Sequence, residues 1–275
     1  MPELPEVETV KETLKPLIVG KTIAHIDVFY DKMILPLTPE ILNKHLRGKT
    51  LKGIDRLGKY LLFNFDYYTL LVHLRMEGKF FLKEQGEPVL KHEHIAINFK
   101  DGTSLRYDDV RKFGTLTLKD TATVYSTLPL SKLGFEPNDK RLTKKYLKEK
   151  LNNNRVIKAS LLDQRIILGL GNIYVDEVLY CAKINPKTIS NRITLKQCET
   201  LITCANRVIN RAIELGGSSI RSYLNSLGIT GRFQNELSVH LKEGEPCLSC
   251  DGVIIKEKIA TRGTYYCPRC QKYKA

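Results

Sequence analysis

Apolar Leu4 and Val7 are three residues apart, as are Glu3 and Glu6, so each pair shares a face of a helix that begins almost at the start of the chain. Pro5 suits a first helical turn, where its missing N–H costs nothing, and Glu6 and Glu8 lie near the positive end of the helix dipole. The pattern predicts a helix to about Lys15, followed by a turn at Val19-Gly20-Lys21. From Thr22 to about Leu118 the period shortens to two, opening with Ile23, Ile26 and Val28. Tyr60-Leu61-Leu62-Phe63-Asn64-Phe65 and Thr69-Leu70-Leu71-Val72-His73-Leu74 read as strands paired across Asp66-Tyr67-Tyr68. His94-Ile95-Ala96-Ile97-Asn98-Phe99 alternates and ends in the hairpin signal Asp101-Gly102. Short strands at this spacing predict a sandwich or barrel.

From about Leu128 to Lys150 the pattern loosens around Gly134 and Pro137, which marks a domain boundary. Leu151 to about Leu224 reads as helical. Leu161, Leu162 and Arg165-Ile166-Ile167-Leu168 lead into Gly169-Leu170-Gly171-Asn172, after which Ile173 to Tyr180 resumes helical spacing. Asn172 is placed as an N-cap, with Asp176 and Glu177 in the first turns. This is either a helix–hairpin–helix-like unit whose exposed N–H groups hold a phosphate or a plain αα-corner, and the spacing leaves both open. A longer helix spans Leu195 to Leu215 and stops at Gly216-Gly217.

A chain of 275 residues suggests about two domains, at ~100–200 residues each. Forty-four Lys and Arg stand against 30 Asp and Glu, a net charge of +14 with pI near 9.4. That balance favours a polyanion, nucleic acid ahead of an anionic membrane surface. No stretch approaches the ~18–20 apolar residues of a membrane span, and the N-terminus lacks a signal-peptide pattern. The expected location is therefore cytoplasmic, with all seven cysteines reduced or metal-bound rather than paired.

Four cysteines have metal spacing. Cys247-x₂-Cys250 and Cys267-x₂-Cys270 are separated by the 16 residues from Asp251 to Tyr266, as in a four-cysteine zinc ribbon. Four thiolates leave no open position for substrate, so one structural Zn²⁺ is expected. Val253-Ile254-Ile255 is strand-like and Gly263 is placed at a turn. Cys181, Cys198 and Cys204 lie in helical stretches without such spacing and read as core. Arg262, at the tip of the module, either reaches a phosphate or is a solvated arginine.

The first residues also carry candidate chemistry. Pro2 is small enough that Met1 is normally removed, which exposes a secondary amine titrating near ~8. Attack of that amine on a sugar C1′ gives an iminium ion, with Glu3 beside it to move protons. The same residues by themselves also read as an ordinary capped helix.

Six features occur in order: Pro2-Glu3-Leu4-Pro5-Glu6-Val7-Glu8-Thr9, Gly58-Lys59-Tyr60, His73-Leu74-Arg75-Met76-Glu77-Gly78, Asp109-Val110-Arg111-Lys112-Phe113-Gly114, Gly169-Leu170-Gly171-Asn172-Ile173-Tyr174 and the terminal cysteine ribbon. Together they resemble the bacterial formamidopyrimidine-DNA glycosylases, which repair 8-oxoguanine. The related endonuclease VIII enzymes share the proline start, the helical unit and the finger, but prefer oxidised pyrimidines. The Glu3-Leu4-Pro5-Glu6-Val7 start and the Met76/Arg111/Phe113 set resemble the purine branch more.

The resemblance implies an α+β fold: an N-terminal β-sandwich with an N-terminal helix, and a C-terminal helical domain with a helix–two-turn–helix unit and a β-hairpin zinc finger. The expected boundaries are 1–130, a linker at 131–150, 151–235 and 236–275, with DNA in a basic cleft. It implies Pro2 as nucleophile, Glu3 as proton donor, and Lys59 and Arg262 as phosphate contacts that assist catalysis. Met76, Arg111 and Phe113 would fill the gap left by a base flipped out of the stack. His73, His92, Asn153 and Asn172 match DNA-contacting positions. Glu6 would lie near the lesion pocket with Ser219, Ile220, Arg221 and Tyr223, in a loop whose glycines Gly216 and Gly217 suit closure over the lesion.

The implied reaction excises oxidised purines from double-stranded damaged DNA through a Pro2 Schiff base, then cuts the strand by β- and δ-elimination. The implied protein is a monomeric, nucleoid-associated enzyme without nucleotide or redox cofactor. An oxidised-pyrimidine glycosylase and a non-catalytic DNA-binding zinc protein are the alternatives. Some positions depart from the family pattern: Asn152-Asn153-Asn154 replaces a basic run, His240 a tyrosine that can contact DNA, and Thr261 glycine or another small residue.

Overall fold

The computed structural model describes residues 1–218 and 231–273. The chain divides into two compact units, Met1–Ser131 with Gly216–Gly231, and Lys132–Leu215 with Arg232–Ala275. Residues 216–218, read from sequence as part of the helical region, group with the N-terminal unit.

In the first unit, α1 (Leu4–Ile18) buries Leu4, Val7, Val10, Leu14 and Ile18, the positions that fall on one face at 3.6 residues per turn. It runs one turn past Lys15 with Pro16 inside its last turn. The strands and one further helix follow in the order β1 (Ile23–Val28), α2 (Pro39–Leu46), β2 (Gly53–Leu57), β3 (Tyr60–Asn64), β4 (Tyr68–His73), β5 (Lys79–Glu84), β6 (Glu93–Phe99), β7 (Thr103–Asp108) and β8 (Thr115–Asp120). They form two four-stranded antiparallel sheets, ordered β1-β6-β7-β5 and β2-β3-β4-β8. Ile95, Ile97, Phe99 and Phe80 from the first sheet, Leu61, Phe63, Leu70 and Val72 from the second, and the buried face of α1 make one core. This unit is the expected sandwich.

Helix α2 lies inside the stretch read as wholly β. It holds eight residues and buries only Leu42 and Leu46, too short a pattern to establish a period. Its local signal is the start: Thr38 caps it by accepting from the Ile41 N–H at 3.4 Å, with Pro39 in the first turn.

In the second unit, α3 (Lys144–Lys150) occupies part of the stretch read as a linker. Thr143 caps it, and Leu147 is its buried residue. Then come α4 (Ile157–Leu161), α5 (Asn172–Cys181) and α6 (Leu195–Glu214), the last opened by a Thr194–Gln197 capping box. A two-stranded hairpin, β9 (Ile255–Ile259) with β10 (Arg262–Tyr266), follows and leads into Cys267 and Cys270.

Two expectations for this unit are corrected. Gly171, not Asn172, is the N-cap of α5, so Asn172 begins the helix itself. Cys181 and Cys204 are joined in a disulfide rather than reduced: the end of α5 packs against the middle of α6, with their Cα atoms 5.8 Å apart, within bridging reach. Cys198 is buried and unpaired, as read. Among the described residues, no helix is long and apolar enough to cross a membrane.

Candidate active site and nucleic-acid interface

The N-terminus is anchored, not frayed. Pro2 and Glu3 are buried, Glu3 at 2% exposure. The Glu6 carboxylate accepts from the Glu3 N–H at 2.8 Å through one oxygen and from the Ser218 N–H at 2.7 Å through the other. Glu6 therefore ties the start of α1 to the segment entering residue 219. Gly217 sits against the same carboxylate in a left-handed conformation (φ 76°), and a Cβ there would lie 2.8 Å from Glu6 Oε1. Burial pushes the Met1 amine below its ordinary value of 8.0, and the Lys59 charge adds to the drop against the opposing pull of Glu3, Glu6 and Glu77. Lys59 itself is buried at 5% exposure, in the tight turn after left-handed Gly58 (φ 57°).

Two neighbouring turns carry the candidate gap-filling residues. Half-buried Met76 sits between β4 and β5, and exposed Arg111 and Phe113 sit between β7 and β8. Strand β5 pairs with β7 and β4 with β8. Gly78 closes one turn and Gly114 the other, and a Cβ at either would overlap the Tyr107 hydroxyl. The second turn is built on Asp109, which is fully buried and accepts from the N–H groups of Arg111 (3.0 Å), Phe113 (3.0 Å) and Gly114 (2.8 Å). Lys112 takes φ 58° there, and the Arg111 guanidinium stacks over the Phe113 ring at 5.0 Å. His92, half-buried, feeds the same turn: its carbonyl accepts from the Asp109 N–H at 2.9 Å.

His73 is interior. It packs edge-on against Tyr60 and accepts the Arg75 N–H on Nδ1 at 3.0 Å. Burial, then the charges of Arg75 and Lys59, push its pKa down from 6.5 to about 3. The folded value lies below the unfolded one, so the stabilisation is complete above pH 6.5 and shrinks as pH falls toward 3. By pH 5 this residue alone withdraws about 2 kcal/mol. His73→Asn, which keeps an acceptor but does not titrate, is expected to flatten the decline in stability between pH 7 and pH 5 by that amount. Denaturant titrations at the two pH values check this, and equal declines in both proteins would refute it.

The second unit presents Asn172 and Arg262 together. The Gly263 carbonyl accepts from Asn172 Nδ2 at 3.0 Å and from Lys158 Nζ at 3.3 Å, and exposed Arg262 is the preceding residue. The hairpin turns at Ala260 (φ 50°) and Thr261 (φ 64°), so Gly263 lies in β10 and not at the turn. Left-handed backbone costs a residue with a Cβ ~1–2 kcal/mol, and the branched Thr261 resists it more. Asn153 is engaged locally: Nδ2 donates to the Lys150 carbonyl at 3.1 Å and Oδ1 accepts from the Arg155 N–H at 3.0 Å.

Asp176 and Glu177, in the first turns of α5, are interior groups. Glu177 accepts from the Ser238, Val239 and His240 N–H groups, each at 2.9 Å. Burial pushes its carboxyl up despite those three donors. His240, too, is interior, with Nδ1 on Asp176 at 2.9 Å.

Cys247, Cys250, Cys267 and Cys270 converge, their sulfurs all within 4.8 Å of one another. Sγ–Sγ distances are 3.7 Å for Cys247–Cys270, 3.6 Å for Cys250–Cys267 and 3.4 Å for Cys250–Cys270. Tetrahedral zinc with ~2.3 Å bonds places its sulfurs about 3.8 Å apart, so the donor set fits. Backbone N–H groups of Ser249, Gly252 and Cys270 point at the sulfurs of Cys247, Cys250 and Cys267. Tyr180 at the end of α5 reaches this knuckle, 2.8 Å from Ser249 Oγ.

Residues 1–116 match a family model described as the formamidopyrimidine-DNA glycosylase N-terminal domain. Residues 133–223 match that family's H2TH domain, and 244–272 match a zinc finger found in FPG and IleRS. A formamidopyrimidine-DNA glycosylase of Lactobacillus delbrueckii subsp. bulgaricus is 47% identical over 273 residues, spanning 99% of this chain and 100% of the relative. One of Bacillus cereus is 46% identical over 273 residues, spanning 98% of this chain and 99% of the relative.

The chain belongs to the formamidopyrimidine-DNA glycosylase family.

A solved complex of Lactococcus lactis Fpg with DNA containing an abasic site matches at TM-score 0.92 and 46% identity, covering 98% of this chain and 100% of that one. A complex of a variant of that protein with Fapy-dG containing DNA matches at TM-score 0.93 and 46% identity, covering 99% and 100%. The family's finger and the four converging sulfurs together support one structural zinc.

In the family frame, the structure gathers Pro2, Glu3, Glu6 and Lys59 around the N-terminus, and sets the turns of Met76 and of Arg111 and Phe113 side by side. It bonds Asn172 to the carbonyl of Gly263, the residue after Arg262. Ser219, Ile220, Arg221 and Tyr223 lie outside the described residues. Sequence reading missed Lys158, which is wholly buried, and the roles of Asp109, Asp176 and Glu177. A lysine inside the apolar run Val156-Ile157-Lys158-Ala159 was the available signal.

Proposed function

We propose that this chain is a bifunctional DNA glycosylase and abasic-site lyase that excises oxidised purines from duplex DNA. The observation that carries the mechanism is the burial of Pro2 together with Glu3 and Lys59 at the start of the chain. On this reading Met1 is absent from the active protein and the amine belongs to Pro2. Desolvation and the positive charge of Lys59 disfavour a protonated amine at this buried position, which leaves the lone pair available.

The pair attacks C1′ and the bond from C1′ to the base breaks, its electrons leaving with the base. Glu3 delivers a proton to the ring oxygen as the sugar opens, the amine gives up its proton, and an iminium results. The iminium acidifies C2′–H, and its loss expels the 3′ phosphate; a second elimination expels the 5′ phosphate. Buried Lys59 supplies positive charge beside these anions. Met76, Arg111 and Phe113 stand where two turns can enter the stack once the damaged base is out. Arg262 and Asn172 are the phosphate contacts of the second unit. That the relatives are solved with abasic-site and Fapy-dG DNA supports the substrate class.

Borohydride trapping on a duplex with one 8-oxoguanine opposite cytosine tests this. The expected result is a covalent adduct on the Pro2 peptide of protein lacking Met1, and faster excision of the purine lesion than of oxidised pyrimidines. No adduct from zinc-loaded, Met1-free protein on either lesion class would remove the imine mechanism. Faster pyrimidine excision would move the substrate assignment.

A further inference from the structure

The hairpin tip carrying Arg262 turns through two left-handed residues that both bear side chains, Ala260 and Thr261. Such backbone persists only where its surroundings over-determine it. What holds this tip is a buried chain of groups ending at a histidine. The Gly263 carbonyl receives Lys158 Nζ and Asn172 Nδ2. Lys158 is fully buried, and its charge is answered by Asp176 Oδ1 at 2.7 Å. The other oxygen, Oδ2, accepts from the Tyr265 N–H at 3.2 Å and from His240 Nδ1 at 2.9 Å. The His240 and Tyr265 rings meet edge-on at 4.9 Å. One carboxylate thus fixes β10 directly at Tyr265 and, through Lys158, at Gly263. None of Asp176, His240 or Lys158 has a part in the proposed chemistry.

We infer that His240 is a positioning residue for DNA engagement: by orienting Asp176 it sets Lys158, and through Lys158 the hairpin tip, so that Arg262 meets a backbone phosphate. This rests on the reading of Arg262 as a phosphate contact. The His240 side chain is separable from the fold around it. Glu177 holds the backbone of Ser238 to His240 by three N–H bonds, and the zinc knuckles hold the finger. Replacing the ring therefore tests the relay rather than the loop.

The test measures affinity for a duplex carrying one tetrahydrofuran abasic-site analogue, as a function of salt. The proteins are zinc-loaded wild type, Arg262→Ala, His240→Phe, His240→Asn and the Arg262→Ala/His240→Phe double variant, with zinc content and melting temperature recorded. His240→Phe is expected to weaken binding on the order of tenfold, since one charged contact is lost. It should also lower the slope of log affinity against log salt by about one, as Arg262→Ala does. The double variant should bind no more weakly than Arg262→Ala, because both remove the same contact. His240→Asn, whose amide nitrogen can stand where Nδ1 does, should recover most of the loss. Wild-type binding by His240→Phe alongside weak binding by Arg262→Ala would overturn the relay, as would fully additive losses. Unchanged affinity and slope in Arg262→Ala would instead overturn the phosphate reading and the relay with it.

Discussion

Glu3→Gln is expected to slow excision of 8-oxoguanine by roughly 10²–10⁴-fold, the usual contribution of a positioned general acid. That is about 3–5 kcal/mol of transition-state stabilisation. Glutamine has nearly the same volume, the bond from the Glu3 backbone N–H to the Glu6 carboxylate is untouched, and its amide oxygen can still accept the Glu6 N–H in the capping box. What is lost is a proton. Glu3 is 2% exposed, so bulk water is poorly placed to replace it. A duplex that already contains an abasic site offers an internal control. Its base has gone and its sugar opens without help, so strand cleavage there should fall less than about tenfold. Single-turnover rates on the two substrates measure the contrast. Equal losses on both would show that Glu3 acts by holding the N-terminus in place rather than by moving a proton.

Removal of zinc is expected to unfold the second unit and to leave the first folded. Structural zinc contributes on the order of 10–16 kcal/mol of apparent binding free energy in isolated fingers, more than a small hairpin can otherwise supply. Here the finger also satisfies its neighbours. Asp176 takes the Tyr265 N–H, Lys158 donates to the Gly263 carbonyl, Asn185 Nδ2 donates to the Gln271 carbonyl at 2.7 Å, and Gln271 Nε2 donates to the Ile184 carbonyl at 2.9 Å. If β9 and β10 dissolve, the buried Lys158–Asp176 pair loses the Gly263 carbonyl and the Tyr265 N–H, and buried polar groups left without those bonds cost about 1–3 kcal/mol each. The helices should therefore melt with the finger. The sandwich has its own core, in which α1 and both sheets share one cluster. Chelation should produce two thermal transitions where zinc-loaded protein shows fewer. Amide exchange should lose protection at β9, β10 and α5 while β3 and β4 keep theirs. Protected hairpin amides after verified zinc loss would refute this account.

The elements legible in the sequence are those whose signal is local and repeated. The buried face of α1 follows from Leu4, Val7, Val10, Leu14 and Ile18 at helical spacing. The β3–β4 and β6–β7 hairpins follow from alternation and from left-handed Gly102 at the second turn. The cysteine ribbon is legible because zinc demands two close pairs at a set separation. Helices α2 and α3 were not, because eight and seven residues cannot establish a period and their caps are weak signals alone. The cap of α5 moved by one residue to Gly171, since glycine and asparagine both suit that position.

By itself, then, the sequence determined a region of short strands with a helix at its start, a helical region, a zinc-binding tail and a strongly basic balance, and it placed a proline where removal of Met1 would expose a secondary amine. It did so because helix faces, strand alternation, charge and ligand spacing are properties of neighbouring residues. Tertiary structure decided the rest. It brought Ser218 to Glu6 across 212 positions and Tyr265 to Asp176 across 89. It joined Cys181 to Cys204 and turned His240 inward onto a carboxylate. Each depends on where two distant backbones meet, and on a buried polar group having to find its partner wherever the fold leaves one. No pattern within a window of the chain carries that information.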